Sequence, residues 1–215
     1  MKILKYFLLL VALTFIVSSG CKDDPTEPVT EIPDTIVDKK PNLYLYPTEK
    51  MNISVTLSFP LGGNLLQSIP DYGNGWNVLV DPSGVINDEY GYLFYEYNIP
   101  DYHQMKDGWI IAKENLKEFF ANNMTDAGFN ETEIKDFTDY WIPRMIDFQY
   151  YEIYPQNNNV LNRMTKIDIL PTPDNLYRLQ YLIKGRGDNK LNLPEPIIEK
   201  GKREGFCAFE WGVLL

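Results

Sequence analysis

Two glutamates stand inside stretches that otherwise read as aromatic strands. Glu96 closes Tyr92-Leu93-Phe94-Tyr95-Glu96, and Glu210 sits in Phe206-Cys207-Ala208-Phe209-Glu210-Trp211. With the period of two of a strand, Glu96 shares a face with Tyr92 and Phe94, and Glu210 with Phe206 and Ala208. A carboxylate on an apolar face has to be paired, hydrogen-bonded or protonated. Two of them across a cleft are the equipment of a glycosidase, at about 5 Å for retention or about 6.5–9.5 Å for inversion. The plainer expectation is structural. Arg144 follows Pro143, which stops a helix, so its side chain starts where helix meets sheet. A guanidinium binds a carboxylate bidentately, and Arg144 is expected to pair with Glu96 or Glu210 and pin the sheet.

Other chemistry is thinly represented. Trp76, Tyr92, Tyr95, Trp109 and Trp211 offer rings for a binding face, although tyrosine also simply favours strands. His103 is the only histidine and lies in a loop, which does not make a zinc site. Cys207 lies in an apolar run and reads as a small buried hydrophobe rather than a nucleophile. Asp81, Asn87, Asp88 and Glu89 are oxygen-rich, but their spacing is not that of a calcium loop. There is no phosphate-cradling glycine loop, no Gly-x-Ser-x-Gly elbow and no CxxC, so no cofactor and no metal are expected. A formal charge of −10 makes nucleic acid a poor partner.

The elements that position these residues follow from periodicity. Met51, Ile53, Val55, Leu57 and Phe59 alternate with Asn52, Ser54, Thr56 and Ser58, which predicts a strand with one buried face. Further strands are expected at 43–46, 76–80, 92–99, 109–111, 148–154, 166–170, 176–183 and 206–211. In the middle the period changes. Leu116, Phe119, Phe120 and Met124 share a helical face, with Gly128 placed to end it. Asn130 and Glu133 have the spacing of a capping box before a second stripe, Ile134, Phe137 and Trp141. Helices over 113–125 and 131–141 form a hairpin packed on sheet, giving an α+β fold with mostly antiparallel strands.

The N-terminal end says where the domain is held. Lys2 and Lys5 precede an apolar run from Tyr6 to Val17, then Ser18-Ser19-Gly20-Cys21. A cationic start, a short apolar core and small residues make a secretory signal peptide over residues 1–20, too short for a span of about 20 apolar residues. Small residues before a cysteine resemble the lipobox of bacterial lipoproteins. That resemblance implies cleavage before Cys21 and a diacylglyceryl group on its sulfur, with a further N-acyl chain such as palmitate. Two or more chains anchor firmly, whereas one binds only marginally. Lys22-Asp23-Asp24 resembles the short export signals that send some lipoproteins to the outer cell surface. Residues 21–41 carry Pro25, Pro28, Pro33 and Pro41 and no aromatic residue, and are expected to be an extended tether to a single domain over 42–215.

The domain itself carries Lys40-Pro41-Asn42-Leu43-Tyr44-Leu45-Tyr46-Pro47, then Tyr92-Leu93-Phe94-Tyr95-Glu96, Trp141-Ile142-Pro143-Arg144-Met145 and Glu210-Trp211-Gly212. In this order they resemble an uncharacterised bacterial family with a KPxxYLYP start, YLFxE and WxPRM motifs and an EWG end. The resemblance covers about residues 40–212 and implies no activity. The expected role is a lipid-anchored envelope or surface module that binds a glycan or a protein without catalysis. The alternatives are a glycosidase-like hydrolase using Glu96 and Glu210, and a structural lipoprotein of an envelope assembly.

Overall fold

Alternating and continuous apolar strands divide the chain into two sheets. The computed structural model describes residues 35–214, and side chains from residue 39 onward. The expected leader 1–20, the lipidated Cys21 and most of the expected tether lie outside the described residues. The elements are β1 (Thr35–Tyr46), β2 (Met51–Ser58), β3 (Asn64–Ile69), β4 (Trp76–Val80), β5 (Leu93–Pro100), β6 (Trp109–Ala112), α1 (Leu116–Ala127), α2 (Glu131–Trp141), β7 (Tyr150–Asn157), α3 (Asn158–Met164), β8 (Lys166–Leu170), β9 (Asn175–Arg186) and β10 (Cys207–Leu214). Seven strands form one sheet in the order β3-β5-β1-β10-β9-β7-β6, and three form another in the order β4-β2-β8. Only β9 and β10 run parallel among the paired strands described. The fold is α+β, mostly antiparallel, with α1 and α2 as a mid-chain hairpin.

The large sheet is covered on both faces near its centre. Leu43, Leu45, Tyr95, Tyr97 and Ile99 point to the small sheet, where they meet Ile53, Val55, Trp76, Val78 and Ile169. Tyr44, Phe209, Trp211, Tyr181 and Ile183 point the other way and meet Phe120, Met124, Phe137 and Trp141 of the helices. Each large side chain fully removed from water contributes about 1.5–3 kcal/mol, so these two layers hold the fold. β10 is buried along its whole length, as a strand enclosed on both faces must be.

The ends of the helices are set locally. Glu133 N donates to Asn130 Oδ1 at 2.9 Å and Asn130 N donates to Glu133 Oε2 at 2.8 Å, which closes the capping box of α2. Gly128 ends α1 with φ +96°, a left-handed conformation that side chains resist.

One boundary departs from the expected one. β1 begins at Thr35, seven residues before the expected domain start at Asn42, because 35–38 pair with β5. Pro41 is accommodated in this strand at a register shift between Lys39 and Asn42, with Lys40 at φ +54°. Proline lacks an amide to donate, and a bulge is where a strand tolerates it. The β9–β10 connection, 187–206, contains no helix. It is tied down where Gly108 N donates to Pro194 O at 3.0 Å and Gly201 N to Ala127 O at 2.8 Å.

Candidate functional site

Glu210 lies at the centre of the large sheet, facing the small one. Leu43 on β1 and Arg178 on β9 stand beside it in register. Arg178 Nε donates to Glu210 Oε2 at 2.5 Å, and neither side chain reaches solvent. The Tyr95 hydroxyl donates to Glu210 Oε1, and burial with the adjacent Glu210 carboxylate pushes the Tyr95 phenol well above its ordinary value. Arg178 Nη1 donates to Thr165 O at 2.6 Å and to Asn162 Oδ1 at 3.0 Å. This is a network between the two sheets whose charged pair is closed to solvent.

The expected pairing of Arg144 is therefore corrected. Arg144 is exposed at the end of α2, its Nη1 donates to Tyr140 O at 2.5 Å, and its guanidinium lies 3.7 Å from the Tyr140 ring centre. α2 ends at Trp141 and runs on into a 3-10 turn, Ile142–Arg144, that holds Pro143 and keeps the arginine beside the helix end instead of turning it into the sheet. Arg178 is the guanidinium that Glu210 required. Its own stretch, Leu176-Tyr177-Arg178-Leu179-Gln180, carries the same signal as the glutamate, a charge inside an apolar strand.

Glu96 faces the other way. Phe94 is in register with Asn42 and Asn42 with Trp211, so Phe94 and Glu96 lie on the helix side of the sheet. Glu96 and Glu210 thus occupy opposite faces and cannot flank one scissile bond, which removes the hydrolase arrangement expected for this pair.

Glu96 opens instead onto a groove of about 500 Å³ on the part of the large sheet that lies beyond the helices. Its floor is β5 and β3, through Phe94, Glu96, Gln67 and Ile69, with Tyr92 just before β5. One wall is Tyr140 of α2 with Lys40 from the β1 bulge, and the other is the Glu89-Tyr90-Gly91 loop. Lys40 Nζ lies 3.7 Å from the Tyr140 ring centre, so this ring serves two cations. Burial, with Arg144 nearby, depresses the Lys40 ammonium, and Asp136 opposes that. The side chains of Gln67 and Glu96 have no hydrogen-bond or ionic partner among the described residues. The arrangement offers flat rings, an amide and carboxylates to a ligand, with no nucleophile and base in contact.

A larger cleft, about 760 Å³, lies beneath the 187–206 connection. Its polar side chains are largely used by the fold. Asn158 bridges Leu176 O and Arg178 N, the Tyr177 hydroxyl donates to Glu199 O, and Gln104 Nε2 donates to Pro155 O and Asp107 O.

The remaining residues singled out by sequence scatter. Trp76, Tyr95 and Trp211 are core residues rather than binding rings, and Trp109 is half-buried against Phe119 with ring centres 5.1 Å apart. Of the five rings, Tyr92 alone lines the groove. Lys40 opens the first motif and Tyr90 the tyrosine-rich stretch 90–97, but nothing in the sequence joins them to Tyr140 as one site. Cys207 is a free, buried thiol whose pKa burial raises. His103 is buried in its loop, with Nδ1 2.8 Å from Asp101 Oδ1. Asp88 pairs with Lys50, and Asn87 Oδ1 accepts from Leu79 N, so these oxygens support local structure. No group of three or more metal-ligating His, Cys, Asp or Glu side chains occurs among the described residues. No protein-family model matches the chain, and comparison with curated proteins and with solved structures finds no significant match.

Proposed function

We propose that this chain is a lipid-anchored envelope or cell-surface lipoprotein whose domain is a non-catalytic binding module. The groove between β3, β5 and α2 is its seat for a glycan or a polypeptide. The observation that carries this reading is the conjunction of four aromatic rings, Tyr90, Tyr92, Phe94 and Tyr140, with unpartnered Gln67 and Glu96 on an uncovered part of the sheet. Aromatic floors with a few free polar groups are how binding sites combine area with orientation. The anchor rests on the leader pattern and Cys21, through an acylated sulfur in an outer membrane.

Two experiments test the two halves. Cys21→Ala should move the protein from the membrane to the soluble fraction; continued membrane residence removes the lipid reading. Immobilised protein should retain one envelope fraction, polysaccharide or polypeptide, and Gln67→Ala with Glu96→Ala should release it. Equal retention by that double variant removes the groove from the account.

A further inference from the structure

The two sheets end in four strand edges; one is covered, and two more carry features that discourage pairing. The 85–90 loop covers β4: Val80 bridges Ile86, Asn87 N donates to Leu79 O at 2.8 Å, and Asn87 Oδ1 accepts from Leu79 N at 2.9 Å. β8 carries Lys166 and Asp168, the charges that discourage edge pairing. β6 is four residues long. β3 has no covering loop among the described residues and no charge, and its one irregularity is the bulge at Leu66. It is six residues, Asn-Leu-Leu-Gln-Ser-Ile, without a charge, and no strand lies on its outer side among the described residues. Leu66 is 53% exposed and Ile69 46%.

This open edge is also the rim of the groove. A register shift between Leu65 and Gln67 sets Gln67 beside Glu96 and Ile69 beside Phe94, so both line the groove. A strand added outside β3 would project every second side chain over the same face. The lining there is negative on balance. Glu89 and Glu96 face one ammonium, Lys40, which is already stacked on Tyr140. Tyrosine and phenylalanine rings beside carboxylates suit a cation, and a chain of net charge −10 favours one at longer range.

We propose that β3 receives an extended, basic segment of a partner polypeptide as an added strand, its alternate lysine or arginine side chains reaching Glu96 and Glu89 across the rings. This rests on the groove reading and narrows its ligand to polypeptide. Backbone hydrogen bonds supply the pairing, and the carboxylates supply the preference for basic side chains.

The test uses the full-length protein in detergent and two synthetic peptides, one alternating lysine with valine and one alternating glutamate with valine. The basic peptide should bind at least roughly tenfold tighter, weaken with rising salt, and slow hydrogen exchange over 64–69. Glu89→Gln with Glu96→Gln should remove the preference for the basic peptide. Leu66→Pro should abolish binding. The basic peptide N-methylated at alternate residues should also fail to bind, and this arm leaves the protein's fold untouched. Equal binding of both peptides, undiminished binding of the N-methylated one, or unchanged exchange over 64–69 overturns the proposal. If the groove still retains an envelope polysaccharide in that case, the binding-module reading stands without the added strand.

Discussion

Arg178 and Glu210 stand side by side on the parallel strands β9 and β10, Nε and Oε2 2.5 Å apart, with neither side chain touching water. Two charges taken from solvent are held by their mutual attraction and by hydrogen bonds that replace much of their hydration, although Arg178 Nη2 is buried without a hydrogen-bond partner among the described residues. Tyr95 and Gln180 serve the carboxylate, and Thr165 and Asn162 serve the guanidinium. Arg178→Met leaves the carboxylate buried alone and should cost about 3–5 kcal/mol. In a domain of this size that lowers the melting temperature by about 6–20 °C. Adding Glu210→Leu should recover much of the loss, since an apolar pair needs no hydration. Thermal or urea unfolding of the single and double variants checks both statements.

Arg144→Ala should behave differently. Its guanidinium is exposed and rests on Tyr140, a contact worth about 0.5–1 kcal/mol at such a site. Unfolding curves should shift little. A loss as large as that of the Arg178 variant would place Arg144 in the core after all.

His103 gives the fold a pH dependence with a definite sign. Burial lowers its pKa below the ordinary 6.5, with the Asp101 hydrogen bond working against that. The unfolded chain therefore binds the proton more tightly than the folded one. The contribution of neutral His103 is fully present above pH 6.5 and is lost as pH falls through the folded pKa. NMR titration of this one histidine should give a midpoint below 6.5, and His103→Gln should flatten the stability profile in that window.

Glu133 has the opposite sign. Burial raises its pKa above the ordinary 4.5, and Arg203 only partly offsets this. The folded state holds the proton more tightly, so this contribution is full below pH 4.5 and fades as pH rises through the folded pKa. Glu133→Gln keeps a residue that closes the capping box and should remove that decline. Glu133→Ala also breaks the box, and should cost about 0.5–2 kcal/mol at any pH. Urea titrations of both variants across this range separate the two effects.

Much of the architecture was legible because one face is buried. The alternation at 51–59 became β2, and Phe120, Phe137 and Trp141 became the helical face on the sheet. Asn130 and Glu133 announced the start of α2 by a purely local interaction. β3 and α3 were not legible. β3 is bulged and mostly exposed, so it shows no alternation, and α3 has only seven residues, Asn158–Met164. The partner of Glu210 was missed for a different reason. Arg178 is 32 residues away in sequence and comes into register only through the parallel pairing of β9 and β10. The groove was hidden likewise, because Lys40, Gln67, Tyr92 and Tyr140 are brought together by strand order and helix placement.

The central claim is that the groove between β3, β5 and α2 is where this protein meets its ligand. NMR chemical-shift mapping against fractionated envelope polysaccharide and polypeptide tests it most directly. Saturable shifts at Ile69, Tyr92, Phe94 and Tyr140 are expected, with affinity falling roughly tenfold or more when Gln67 and Glu96 become alanine. Shifts gathered instead around Tyr177 and Ile198, beneath the 187–206 connection, would contradict the account, as would a perturbation that the double variant leaves unchanged.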